Sequence, residues 1–132
     1  MNGKIKVSTR QRIQMIDITS QIQTLIDKKA VKNGVAHVFC PHTTAAVTIN
    51  ENADASVQSD INESLSESIP HHSQYSHTEG NADAHKKSAL MGSSRTVFIE
   101  AGKLNLGTWQ GIFFCEFDGP RTREVWVKFS QT

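Results

Sequence analysis

The sequence predicts an α+β fold with a mainly antiparallel sheet, and three observations lead there. Short β-branched and aromatic runs recur at both ends of the chain. Between them, apolar residues recur at helical spacing. No glycine-rich loop follows a strand and no strand–helix–strand rhythm repeats, so parallel nucleotide-binding folds fit poorly. At 132 residues the chain suits one domain, spanning 1–132.

The elements follow in order. Residues 5–8 and 13–18 alternate apolar and polar side chains, which reads as two short strands. Asp17 to Ser20 offers capping chemistry, with Thr19 or Ser20 as the N-cap. Ile22, Leu25, Ile26 and Ala30 continue at helical spacing until Asn33-Gly34 stops the helix. Residues 35–40 are strand-like, Pro41 ends them, and 46–49 is another β-branched run. Residues 54–65 read as a polar helix with Val57, Ile61 and Leu65 on one face. Pro70 opens an irregular polar segment, 71–80, whose one aromatic is Tyr75. Asn81 or Asp83 can cap a short helix over 82–91, closed by Gly92. Strands follow at 96–99, 109–117 and 125–129, punctuated by Gly102, Gly107 and Gly119-Pro120. In the last of them Val125, Val127 and Phe129 share one face, and Trp126 and Lys128 the other.

Composition excludes several classes. Lysine and arginine number 14 against 13 acids, a net +1 that gives no global field for nucleic acid. The longest apolar run falls far below the ~18 residues of a membrane span, and no charged-then-apolar leader opens the chain. Cys40 and Cys115 are too few for a disulfide framework and read as buried thiols in a reducing cytoplasm.

The balanced totals hide an uneven layout. Between Lys32 and Lys86 there is no lysine or arginine, yet that window holds seven acids and all six histidines. Such a composition either binds a metal ion or forms a solvated acidic face with scattered imidazoles. His77, Glu79, Asp83 and His85 lie within nine residues across a loop-to-helix junction. A loop arm and a first helical turn can converge on one point, as metal ligands must. The spacing is neither that of a zinc finger nor that of a zincin. His42 adds a third imidazole from a strand end. Three neutral imidazoles with an open fourth position suit a catalytic divalent ion, usually zinc. The competing reading of each is an exposed loop residue or a hydrogen-bonded core one. His37, inside a strand, and His71-His72, in the loop, are set aside.

Two further features bear on ligands. The amides opening the helix near Asp83, and the turn Gly92-Ser93-Ser94, can hold phosphate oxygens, with Lys86, Lys87, Arg95 and Arg121 nearby in sequence. Gly107-Thr108-Trp109-Gln110-Gly111 offers a backbone that can approach a ligand and an indole that can stack; the alternative is an interior Trp at a strand start. Glu116, alternating with Cys115 and Phe117, is either solvent-facing or pointed at a site.

The strings Pro41-His42-Thr43-Thr44-Ala45-Ala46, Ile49-Asn50-Glu51-Asn52-Ala53-Asp54, Glu79-Gly80-Asn81-Ala82-Asp83-Ala84-His85 and Gly92-Ser93-Ser94, with 106–111 and 115–121, together resemble the YjbQ-like family. That family is commonly named secondary thiamine-phosphate synthase. The resemblance covers nearly the whole chain in order; it departs at Phe98, where the family often has proline, and at Lys86, often apolar there. It implies a compact α+β fold with a β-sandwich-like sheet, assembled as a homotrimer, and a metal site at His42, His77 and His85. The implied reaction joins a hydroxymethyl-pyrimidine diphosphate to a thiazole phosphate and releases pyrophosphate. Zinc suits the histidines, whereas Mg²⁺ is the usual ion of pyrophosphate chemistry. Glu79, Asp83 and Arg121 are the expected catalytic groups, the two acids orienting the histidines and Arg121 holding a phosphate. Thr43, Thr44, Asn81, Ser93, Ser94, Trp109 and Gln110 are expected to bind the small phosphorylated heterocycle. The alternatives are a metal-dependent hydrolase with Glu79 or Asp83 as general base, and a non-enzymatic trimer binding a metal or phosphorylated ligand. Neither nucleic acid nor a membrane is an expected partner.

Overall fold

A computed structural model describes residues 3–72 and 74–132, so residues 1, 2 and 73 of the 1–132 span lie outside it. Its elements run β1 (Gly3–Ser8), β2 (Gln14–Asp17), α1 (Thr19–Lys29), β3 (Gly34–Phe39), β4 (Ala45–Glu51), α2 (Ala55–Ser68), α3 (Ala82–Met91), β5 (Ser94–Glu100), β6 (Lys103–Leu104), β7 (Gln110–Glu116) and β8 (Thr122–Gln131). Two curled sheets form, with strand orders β1-β8-β3-β5-β6 and β2-β7-β4, and every pairing is antiparallel. The α+β class expected from the sequence is the class observed.

The alternation of β8 sets the interior. Val125, Val127 and Phe129 are buried on one face as the sequence predicts, and Arg123 shares that face. Opposite them stands β7, which is covered on both sides. Ile112 and Phe114 join the main core between the sheets, while Phe113, Cys115 and Phe117 form a second cluster with Ala46 and Ala84. A strand covered on both faces reads as an unbroken apolar run. Ala84 belongs to α3, so this second cluster seats that helix on the outer face of the small sheet. Helix α1 enters the main core through Ile22 and Ile26, both fully buried. Each such side chain contributes roughly 1.5–3 kcal/mol of burial.

Helix ends correct the sequence reading in three places. The N-cap of α1 is Ile18, and the capping oxygen belongs to Asp17, which accepts from the Thr19 amide at 2.9 Å and its hydroxyl at 2.6 Å. An aspartate one residue earlier reaches these donors, so neither Thr19 nor Ser20 is the cap. The same helix ends at Ala30 in the left-handed region (φ 53°), before Asn33-Gly34. Gly34 serves β3 instead: a Cβ there would meet the Ser130 carbonyl oxygen at 2.0 Å. In α2, Asp54 is the N-cap, accepting from the Ser56 amide at 2.9 Å, and the helix runs on to Ser68 with none of its residues fully buried. Helix α3 keeps its predicted bounds, but the Asn81 side chain makes no capping bond. The two-residue β6 has no alternation to read and was not expected.

Candidate functional site

The irregular segment after Pro70 and the first turns of α3 border an open cavity of about 350 Å³ lined by Tyr75, Ser76, His77, Ala82, His85 and Lys86. His85 lies one helical turn into α3 and points at the loop arm carrying His77. The two rings meet edge-to-face with centroids 5.0 Å apart. Local bonds shape the arm. Tyr75 donates its hydroxyl to the Pro70 carbonyl at 2.6 Å, and His71 Nε2 donates to the Gly80 carbonyl at 2.8 Å. The Lys86 ammonium sits 4.7 Å over the Tyr75 ring, a cation held at the cavity rim. His77 Nε2 is 2.9 Å from Asn81 Oδ1 and 3.6 Å from Glu79 Oε2. The structure thus brings together His77, Glu79, Asn81 and His85 of the expected site.

His42 is held elsewhere in the chain. Its Nε2 lies 3.0 Å from both the amide and the carbonyl of Glu124, and its ring stands edge-on to Phe114 at 6.3 Å. Burial, and then the charge of Arg123, push its pKa below the ordinary imidazole value. Among the described residues no three His, Cys, Asp or Glu side chains converge on one point.

Asp83 is spent on a buried ion triad. Its carboxylate receives Arg12 at 2.8 and 3.1 Å and Lys87 at 3.0 Å, with Asp83 at 0% and Lys87 at 1% exposure. Burial alone would raise its pKa; the hydrogen bonds and charges of Arg12 and Lys87 outweigh that and hold it at about 2. It neither faces the histidine pair nor is free to take a proton. The Asp83–Lys87 spacing of four was a legible helical pair; Arg12, 71 positions away, carried no signal.

A second buried pair spans the sheets. Glu116 shares the inward face of β7 with Ile112 and Phe114, and Arg123 projects from β8 to meet it. Arg123 Nε donates to Glu116 Oε1 at 2.8 Å, and its terminal nitrogen donates to Oε2. Thr9 Oγ1 also reaches Glu116 Oε1 at 2.8 Å. Burial raises the Glu116 pKa, but Arg123, the Asp118 amide and Thr9 together bring it below the ordinary value. The solvent-facing reading of Glu116 fails, because the residue is fully buried in this pair.

The remaining expected groups scatter. Thr44 is buried and its hydroxyl accepts from Arg123 at 2.8 Å, whereas Thr43 is exposed. Arg121 donates to the Asp118 carboxylate at 3.1 Å and its carbonyl at 3.0 Å. Ser93 and Ser94 are exposed where β5 begins, and the Ser93 carbonyl accepts from the Cys40 amide at 2.7 Å. Trp109 is 62% exposed, so the interior reading fails; it occupies a turn in which the Gln110 amide donates to Gly107 at 3.0 Å. Gln110 returns its side-chain oxygen to the Gly107 amide at 2.8 Å. None of these borders the histidine cavity. Cys40 and Cys115 are buried and free as expected, and burial pushes their thiols up to about 11 and about 12.

Comparison with known proteins agrees with the strings read from the sequence. A family model described as UPF0047 protein YjbQ-like matches residues 3–132. A UPF0047 protein of Methanocaldococcus jannaschii is 54% identical over 125 residues, covering 95% of this chain and 91% of that protein. The UPF0047 protein YugU of Bacillus subtilis is 47% identical, covering 94% of this chain and 95% of YugU. Among solved structures, a YjbQ/UPF0047 protein of Clostridium acetobutylicum superposes with a TM-score of 0.94 at 52% identity, over 96% of this chain and 98% of that one. A protein of unknown function from Sulfolobus solfataricus gives 0.94 at 34% identity, over 98% and 96%.

Proposed function

Because the chain belongs to the YjbQ-like family of UPF0047 proteins, we propose that it is a transferase of the thiamine-phosphate synthase type. The observation that carries the reading is the cavity in which His77 and His85 face each other at 5.0 Å. In the reaction, the pyrimidine's methylene–oxygen bond breaks and pyrophosphate leaves with that electron pair. The thiazole nitrogen supplies the pair for the new methylene–nitrogen bond. A divalent ion held by the imidazoles would supply the positive charge that the departing pyrophosphate requires. Neutral imidazoles suit a zinc-like ion as donors, and His77 and His85 would be two of its ligands. The third, in our reading, is His42 of a neighbouring protomer in a homotrimer, because the same chain holds its own His42 away from the pair. Lys86 at the rim, rather than the Asp118-bound Arg121, would receive a phosphate, a role its position in the cavity lining supports.

The absence of a third converging ligand within the described residues favours a second reading, a trimer that binds a metal or phosphorylated ligand without turnover. If the site instead activates water, Glu79 is the base, since Asp83 is ion-paired. We assign the protein to a reducing cytoplasm, which its free buried thiols suit, with no nucleic-acid or membrane partner. No helix among the described residues is long and apolar enough to cross a membrane.

Elemental analysis tests the site first. Metal content should fall sharply in His77→Ala and His85→Ala and little in His71→Ala; equal retention in all three rejects it. Thiamine phosphate formation at saturating substrate should drop in His85→Ala. Mixing His42→Ala with His85→Ala protomers should restore part of the metal uptake if the site is shared. A fully metallated protein with no product above the uncatalysed rate ends the synthase reading and leaves the binding one.

A further inference from the structure

His77 enters the cavity with one ring nitrogen already committed. Nε2 faces two oxygens, Asn81 Oδ1 at 2.9 Å and Glu79 Oε2 at 3.6 Å. The orientation of the Asn81 amide is dictated by its far end, which lies 2.8 Å from Asp118 Oδ2. An ionised carboxylate only accepts, so the end facing Asp118 is the NH₂ group. The carbonyl oxygen therefore faces His77, and since it also only accepts, the hydrogen sits on Nε2. A neutral imidazole carries one ring hydrogen, which leaves the lone pair on Nδ1.

Asp118 is itself anchored. Arg121 donates to its Oδ2 at 3.1 Å and to its carbonyl at 3.0 Å, and its own amide donates to Glu116 Oε2 at 3.1 Å. Glu116 is fully buried against Arg123. An unbroken set of hydrogen bonds thus links the interior ion pair to the cavity wall. It also accounts for the missing cap: Asn81 stands at the N-cap of α3 with its amide occupied on both ends.

We propose that Asn81 and Asp118 are positioning residues that hold His77 as the Nε2–H tautomer, so that Nδ1 is the nitrogen it offers to a divalent cation. The proposal rests on reading the cavity as a cation site. A ligating histidine whose other N–H donates to an oxygen has its ring orientation fixed and its basicity raised. Arg121 is then a strut for Asp118 and not a phosphate ligand.

Ring-nitrogen NMR of the ¹⁵N-labelled protein at pH 8.5, above the ordinary imidazole range, reads the tautomer directly. His77 should show a protonated Nε2 and a lone-pair Nδ1. In Asp118→Ala no acceptor fixes the far end of the Asn81 amide, so Asn81 can turn over and the two tautomers should mix. Asn81→Leu removes the acceptor against Nε2 and should lose the tautomer preference. Backbone amide spectra confirm that each variant is folded, and the wild-type reading stands alone should a variant fail. Titrated Zn²⁺ should move the Nδ1 signal while Nε2 keeps its hydrogen, and Asp118→Ala should weaken that binding at least ~10-fold. A wild-type His77 found as Nδ1–H, or populations that the folded Asp118→Ala and Asn81→Leu variants leave unchanged, overturns the proposal. If Zn²⁺ does not bind while the tautomer is as assigned, the metal reading falls and the tautomer assignment stands.

Discussion

Replacing Asp83 with asparagine removes the one negative charge on which two cations converge. Lys87 is 1% exposed, and its ammonium lies 3.0 Å from Asp83 Oδ2. Without the carboxylate, that ammonium is left buried and uncompensated. Removing one partner of a buried pair costs about 3–5 kcal/mol. Arg12 keeps 29% of its side chain in solvent, so its share is screened and the lower end, about 3 kcal/mol, applies. The proton gives an independent figure. Arg12 and Lys87 overcome the burial that opposes ionisation and hold the carboxyl at about 2 against an ordinary 3.8. That shift corresponds to about 2 kcal/mol. Because the folded pKa is depressed, this contribution is present above the ordinary carboxylate range and is lost as pH falls from about 4 toward 2. Urea unfolding at one fixed protomer concentration is the assay, since assembly would shift the midpoint with concentration. Asp83→Asn should be about 3 kcal/mol less stable than wild type at pH 7, and the gap should close toward pH 2. Replacing the pair together, Asp83→Leu with Lys87→Met, should recover most of the loss. A gap under about 1 kcal/mol at pH 7, or one unchanged at pH 2, refutes the argument. Lost activity at wild-type stability would instead return Asp83 to the reaction.

Three more outcomes are expected. Glu116→Gln leaves Arg123 unpaired at 4% exposure and should cost about 3 kcal/mol in the same assay. The Glu116 contribution, like that of Asp83, should fade as pH falls through the carboxylate range; an acid limb shallower in Glu116→Gln than in wild type, with the Asp83 part remaining, would bear this out. Cys40 and Cys115 should resist a thiol reagent at pH 8 and react only as the protein unfolds, because with a pKa of about 11 only about a thousandth of Cys40 is thiolate; labelling of the native protein within minutes would contradict it. Gly34→Ala should lower stability by about 3 kcal/mol, since its Cβ would fall 2.0 Å from the Ser130 carbonyl; a neutral result in urea would mean that β3 and β8 separate without cost.

How much of the molecule the sequence disclosed depended on the range of the forces involved. The side-chain alternation of β8 and the bounds of α3 were legible because each follows from neighbours within a few residues. The cap of α1 was misplaced by two residues or less, because Asp17, Thr19 and Ser20 compete locally for the same amides. The loop-to-helix convergence of His77 and His85 was likewise a short-range inference, and the rings do meet.

The sequence by itself determined the α+β class, the family and the histidine pair, all of which rest on periodicity or on strings of adjacent residues. Only the tertiary structure decided what the charged residues are for. Arg12 reaches Asp83 across 71 positions, and Thr9 and Glu116 meet across 107. Neither has a periodicity that could announce it. Glu116 read equally well as facing solvent or a site, because strand alternation says which residues share a face and not what lies opposite. The curl of the two sheets places β8 across from β7, so Arg123 meets Glu116 away from water. There an unpaired charge is costly and a paired one is held fast, and hydrogen bonds run from that pair through Asp118 and Asn81 to His77, a connection between residues far apart in the chain.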